Sequence, residues 1–221
     1  MNEAKAFLFD LNGTMIDDME YHLNVWYDVI VNELGANLSR EEVKLHMYGK
    51  NHELLIRIFG EHRFTAEEMD RISLSKERQY QQLYRPHLDL LPGLFSFLDQ
   101  AYDSKIKMAI GSAAIPYNID FVLDNLKIRH HFEAIVSAAD VSISKPHPET
   151  YLKAARLLNV LPADCIVFED APKGVEAALR AGMKTVVLTT MHPKEDFQQY
   201  DNVIQYVENY LELVPEILCL Q

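Results

Sequence analysis

Four short apolar runs in this chain each lead into a polar group, and the groups have complementary chemistry. Asp10 closes Phe7-Leu8-Phe9, Ser112 follows Lys107–Gly111, Lys145 lies beyond Ala134–Ser137, and Glu169-Asp170 close the run that starts at Cys165. Three carboxylates gathered without compensation would repel one another, and a divalent cation removes that cost. Hard oxygen donors suit Mg²⁺, which keeps some of its waters and also binds phosphate. Lys145 would bring the positive charge that a phosphoryl group needs, and Ser112 a hydrogen bond to its oxygens. Taken singly, each residue has an ordinary explanation. Asp170 can be a helix N-cap before Pro172, Lys145-Pro146 a solvated loop, and Ser112 a turn residue after glycine. Placement at successive strand ends is what ties them into one reading.

The elements that must position these groups are legible as alternating patterns. Phe7-Leu8-Phe9 reads as a buried strand, and Asn12-Gly13 turns the chain away directly after it. From Leu90 onward, strands are predicted at 107–111, 134–137, 165–169 and 184–189, with helices between them at about 116–126, 148–159 and 171–181. This βαβ alternation predicts an α/β fold, a parallel sheet covered on both faces, with ligands taken at the C-terminal ends of its strands. Residues from about 18 to 84 look helical throughout. His22, Val25, Trp26, Val29 and Ile30 recur at helical spacing, Ser39 with Glu42 forms a capping box, and Ala66–Tyr84 is a long charged helix. The block reads as an insertion in the first crossover. Residues 208–220 read as a closing amphipathic helix with Pro215 as a kink.

Composition narrows the partners. The chain has 221 residues, enough for one α/β domain with an insertion, and its net charge is −12. That charge argues against nucleic acid or an anionic membrane as partner. A small anionic substrate remains open, because a local cation can reverse the sign inside a cleft. Cys165 and Cys219 lie far apart with no metal-ligand or redox spacing, which fits a reducing cytoplasm. No signal peptide is visible and no stretch is apolar enough to span a bilayer, so a cytoplasmic monomer is the expectation.

As a set, the motifs resemble the haloacid dehalogenase superfamily, and within it the phosphatases and mutases similar to β-phosphoglucomutase. The matching segments are Phe9-Asp10-Leu11-Asn12-Gly13-Thr14, Ile110-Gly111-Ser112, Ser144-Lys145-Pro146 with Pro148-Glu149, and Phe168-Glu169-Asp170-Ala171-Pro172 with Gly174. The resemblance implies a Rossmann-like, doubly wound core of residues 1–16 and 86–221 with a small helical cap at 17–85. It implies that Asp10 is a nucleophile forming an aspartyl-phosphate, that Ser112 and Lys145 hold the transferring phosphoryl group, and that Mg²⁺ is held by Asp10, Glu169, Asp170 and the main-chain carbonyl of Asn12. The implied substrate is a small phosphorylated metabolite, such as a sugar phosphate.

Residue 12 departs from the pattern. The phosphatases and mutases of the family carry a second aspartate there, whose carboxyl protonates the leaving oxygen and then activates water. An amide does neither at neutral pH. Natural divergence and an engineered replacement are both consistent with the sequence. Dehalogenases and phosphonate-cleaving relatives also lack this aspartate. However, dehalogenases need no metal, and none of Lys44, Lys50 and Lys76 has a flanking motif matching the Schiff-base lysine of the phosphonate enzymes. In the helical block, the resemblance makes His22 and Lys76 substrate-binding candidates. His52 stands near the place of an arginine that grips a distal phosphate, and Ala113 follows Ser112 where the mutases carry a further hydroxyl. The loss of distal anchors favours hydrolysis of a monophosphate over mutase action. The alternatives are a phosphosugar mutase and a non-catalytic binder of phosphate ligands.

Overall fold

The structure, a computed structural model, describes residues 4–220 and divides them into two compact units. Asp18–Leu88 forms one, and the described residues on either side form the other.

The larger unit is built on six parallel strands: β1 (Ala6–Phe9), β2 (Lys107–Gly111), β3 (Ala134–Val136), β4 (Cys165–Glu169), β5 (Lys184–Leu188) and β6 (Val203–Val207), in the spatial order β3-β2-β1-β4-β5-β6. All four residues of β1 are fully buried because both faces of the sheet are covered. Ala6 and Leu8 face a core that includes Tyr151, Ala154, Ala177 and Ala178. Phe7 and Phe9 face the other way, into a ring cluster with Phe97, Phe168 and Tyr210. There Phe9 stacks on Phe168 at 4.6 Å and Phe7 on Phe97 at 5.6 Å. Each such ring contributes roughly 2–3 kcal/mol through its burial. An uninterrupted apolar run is therefore what a central parallel strand needs.

Four of the five α-helices described in this unit join successive strands, the first of them unpredicted and the other three with ends close to the predicted ones. They are α5 (Leu94–Asp103), α6 (Pro116–Asn125), α7 (Glu149–Leu157) and α8 (Pro172–Arg180). The exception is the closing helix, α9 (Pro215–Cys219), where the 208–220 reading needs correction. Pro215 starts this helix rather than kinking one, since proline is preorganised for the first helical position and has no N–H to lose there. Residues before it are held in a turn by Tyr210, whose N–H donates to the Pro92 carbonyl and whose hydroxyl donates to that of Thr14. Strand β6 has no counterpart in the sequence reading. It is a half-exposed edge strand of mixed composition, so neither a buried run nor clean alternation marks it.

The helical unit comprises α1 (Met19–Tyr27), which runs on as a π-helix over Asp28–Glu33, then α2 (Arg40–His46), α3 (Asn51–Phe59) and α4 (Ala66–Tyr84). His22, Val25, Trp26, Val29 and Ile30 are all buried, as their spacing requires. The Ser39–Glu42 capping box is formed on both sides, and a second one, Thr65–Glu68, starts α4. This unit extends to Leu88 rather than 85 because Arg85–His87 continues α4 as a 3₁₀ turn. Among the described residues no helix is long and apolar enough to cross a membrane.

Candidate active site

The strand order reverses between β1 and β4, and in a doubly wound sheet the crevice beyond the strand ends at such a point is where ligands bind. Asp10 is fixed there by its own backbone. Its N–H donates to the Phe168 carbonyl at 3.0 Å, carrying the β1–β4 ladder one residue past β1 and setting Asp10 beside Glu169 and Asp170. Ligand oxygens of the three carboxylates lie within 4.8 Å of one another, and all three residues are buried. Lys145 reaches the group from the loop before α7. Its Nζ donates to Asp10 Oδ1 at 2.6 Å, to Glu169 Oε1 at 2.7 Å and to the Tyr151 hydroxyl at 2.8 Å.

The electrostatics follow from three acids facing one ammonium. Burial pushes the Asp10 carboxyl up to about 7, against the pull of Lys145, and Glu169 adds to the rise. Asp170 is held well above the usual carboxylate range by burial, then by Glu169 and Asp10. Burial works to lower Lys145, but Asp10 and Glu169 outweigh it and push the ammonium up to about 12. A second positive charge is what this donor set lacks. The hard-oxygen chemistry of three converging carboxylates fits Mg²⁺.

Two glycines make room for the acids. Gly13, at φ +75°, lies so close to Asp170 that a Cβ would overlap its carboxylate, and a Cβ at Gly174 would overlap the carboxylate of Glu169. Glu169 folds back over the start of α8, where its Oε2 accepts from the N–H groups of Asp170 and Ala171, both at 3.0 Å. The Thr14 hydroxyl donates to Asp170 Oδ1 at 3.1 Å.

A family model of haloacid dehalogenase-like hydrolases matches residues 7–188, which takes in every one of these groups. The chain belongs to that family. The β-phosphoglucomutase of Bacillus subtilis (strain 168) is 37% identical over 196 residues, covering 82% of each chain. The fructose-1-phosphate phosphatase of Escherichia coli (strain K12) is 27% identical over 183 residues, covering 82% of this chain and 94% of its own. Among solved structures, the β-phosphoglucomutase of Clostridium difficile matches with a TM-score of 0.84 at 30% identity, covering 97% of this chain and 95% of that one. The chain is thus a haloacid dehalogenase-like hydrolase related to phosphatases and phosphosugar enzymes.

The remaining candidate residues fall into separate places. Ser112 continues the β2–β3 ladder, its N–H donating to the Val136 carbonyl at 2.9 Å, and its hydroxyl accepts from the Ala114 N–H at 3.0 Å. Ala113, half-buried, sits in that small turn. Asn12 lies in the tight turn after Asp10, in which the N–H groups of Thr14, Met15 and Ile16 all point to the Leu11 carbonyl. In the helical unit, His22 and Lys76 meet: Lys76 Nζ is 2.5 Å from His22 Nδ1 and within 3.2 Å of both Glu77 oxygens, while the His22 ring stacks on Tyr80 at 3.8 Å. Burial lowers the Lys76 ammonium, with Glu77 opposing that shift. His52 is engaged elsewhere, its Nε2 lying 2.9 Å from Asp70 Oδ1.

Sequence reasoning missed Tyr151, Thr14 and the two glycines as parts of the site. Tyr151 follows Lys145 by six residues. Its buried hydroxyl accepts from that lysine and donates to Glu169 Oε1 at 2.7 Å. A tyrosine in the first turn of the helix that follows the motif lysine was the available signal.

Two expected outcomes follow from this packing. Gly→Ala inside a helix is normally favourable by about 1 kcal/mol. At Gly174 the sign should reverse, because the added methyl displaces the Glu169 carboxylate. Gly174→Ala is expected to cost about 1–3 kcal/mol, as overpacking does, and to weaken Mg²⁺ binding, read by thermal unfolding and a Mg²⁺ titration. The second concerns pH. With Asp10 raised from 3.8 to about 7, the folded chain holds a proton through that window which the unfolded chain has released. The stability from this group is fully present below about 4 and is lost as pH rises through about 7. In chelator, the unfolding midpoint should therefore fall between about pH 5 and about pH 8, and the midpoint gain on adding Mg²⁺ should grow over the same range.

Proposed function

We propose that the protein is a Mg²⁺-dependent phosphatase that hydrolyses a small phosphomonoester, a sugar phosphate in particular, through an aspartyl-phosphate on Asp10. The observation that carries this reading is the convergence of Asp10, Lys145, Glu169 and Asp170 at the sheet's switch point, with Lys145 Nζ 2.6 Å from Asp10 Oδ1. Mg²⁺ held by Asp10, Glu169, Asp170 and the main-chain carbonyl of Asn12 would neutralise charge on the phosphoryl oxygens. Asp10 attacks phosphorus through its carboxylate oxygen, and the bond to the substrate's alcohol oxygen breaks. Lys145 offsets negative charge on the transferring group, Ser112 donates a hydrogen bond to it, and water then cleaves the acyl-phosphate. Tyr151 keeps Lys145 and Glu169 in register. Asn12 stands where the leaving oxygen needs a proton and the attacking water needs a base, so turnover is slow as the chain stands. His22, His52, Lys76 and Ala113 are the proposed determinants of substrate choice.

The relationship to a fructose-1-phosphate phosphatase supports the substrate class, and that to two β-phosphoglucomutases supports a mutase as the second reading. Free phosphate and isomer formation, measured together on a panel of sugar phosphates with Mg²⁺, separate the two. Phosphate released in step with substrate loss supports the phosphatase, and isomer without free phosphate supports the mutase. The panel is run with Asn12→Asp, so that the missing acid does not hide a substrate. A chain that binds members of the panel yet converts none, even with the aspartate restored, is a phosphate-ligand binder instead.

A further inference from the structure

A second group of metal-type ligands lies in the larger unit, towards the starts of the strands rather than their ends. His130 and His131 occupy a 3₁₀ turn before β3, and Asp99 lies on α5, with one ligand atom from each residue within 4.8 Å of the others. His131 is the buried anchor, and its two nitrogens are unequal. Nδ1 lies 3.1 Å from the Ile128 carbonyl, which can only accept, so Nδ1 donates there, and Nε2 is hydrogen-bonded to Asp99 Oδ1 at 2.7 Å. An N–H given to a backbone carbonyl is how the non-ligating nitrogen of a metal-bound histidine is held, which leaves Nε2 as the nitrogen available to a metal. The neighbouring His130 ring lies 4.0 Å away, centroid to centroid, and is exposed, as is Asp99. Both can adjust by the ångström or so that separates this spacing from the roughly 3.3 Å edge of a tetrahedral shell with 2.0–2.1 Å bonds. Tyr102 and Phe95 present edges to His131, each with centroids 6.0 Å away, and wall the site on the α5 side.

We propose that Asp99, His130 and His131 bind a borderline divalent cation of the Zn²⁺ class, with water in the remaining position, and so tie α5 to the turn before β3. Two imidazoles and one carboxylate suit Zn²⁺ or Co²⁺ and are a poor match for Mg²⁺, which takes oxygen donors. The site is therefore separate in chemistry and in place from the acidic group at Asp10. Metal placed between His131 Nε2 and Asp99 Oδ1 replaces their direct hydrogen bond, and the hydrogen of that bond leaves to solvent.

The test is calorimetric titration of the full chain with Zn²⁺ while millimolar Mg²⁺ occupies the acidic group, with Co²⁺ absorption in parallel. The wild type should bind one equivalent, show the visible bands of tetrahedral Co²⁺, and unfold at a higher temperature with Zn²⁺ than without it. His130→Ala and Asp99→Asn should each weaken that equivalent at least about tenfold, since even second-shell changes cost that much. His130 is exposed, so its variant should match the wild-type metal-free melting temperature, and it carries the test if Asp99→Asn is less stable. No Zn²⁺ binding by the wild type, or equal affinity and stoichiometry in wild type and His130→Ala, overturns the proposal.

Discussion

Asn12→Asp is expected to raise phosphomonoester turnover by roughly 10²–10⁴, the contribution of a positioned general acid–base. The amide can donate a hydrogen bond from nitrogen and accept one at oxygen, but it cannot give a proton to a departing alkoxide or take one from water. In the proposed mechanism both half-reactions lose help: the alcohol leaves without protonation, and the acyl-phosphate waits for unassisted water. The gain should therefore fall mainly on kcat, with KM little changed, because residue 12 is assigned no role in holding the ground-state phosphate. Mg²⁺ affinity should change little, since the ligand assigned to residue 12 is its main-chain carbonyl, common to both residues. Steady-state kinetics at saturating Mg²⁺, with a Mg²⁺ titration of each protein, check both halves. A kcat equal in the two proteins would remove the acid–base role from this position.

What was legible in the sequence was whatever periodicity or a strand end could mark. The central strands have apolar runs because both their faces are buried, as Phe7 and Leu8 show by pointing to opposite cores. The carboxylates were legible as a group because parallel strands bring their ends to one edge, so Asp10 and Asp170, far apart in sequence, meet without any local signal linking them. Edge strand β6 was not read from the sequence, because Gln205 breaks its short apolar run and its half-exposed residues show no clean alternation. The closing helix was overextended because Tyr210 and Leu213 are buried at helical spacing, although they do so from a turn pinned by Tyr210 to Pro92 and Thr14. Gly13 and Gly174 could be read as turn and helix residues, but their role is steric, a cradle for two side chains, and steric complementarity of that kind exists only once the chain is folded.

Asp10→Asn, made in the Asn12→Asp background, is expected to abolish turnover, a loss of roughly 10⁴-fold or more, on the scale of removing a covalent nucleophile. No hydroxylamine-sensitive phosphoryl label should remain on the protein. Stability should move the other way. Asp10 is one of three buried carboxylates served by a single ammonium, and burial with Glu169 nearby already drives its carboxyl up to about 7. An amide of the same shape removes one of those charges while Lys145 keeps Glu169 Oε1 at 2.7 Å and the Tyr151 hydroxyl as partners. In chelator at about pH 8, where the Asp10 charge costs most, the variant should therefore unfold at the same temperature as its parent or higher. Mg²⁺ should stabilise it less than the parent, because one ligand has lost its charge. Activity lost with stability gained is the signature of a group kept for chemistry at the expense of the fold. A purely structural Asp10 would give the opposite pairing, a lower melting temperature with turnover falling only as far as the folded fraction does. Retained labelling in the variant would move the nucleophile to another residue, and the assignment of Lys145 as the charge partner of the reacting phosphoryl group would fall with it.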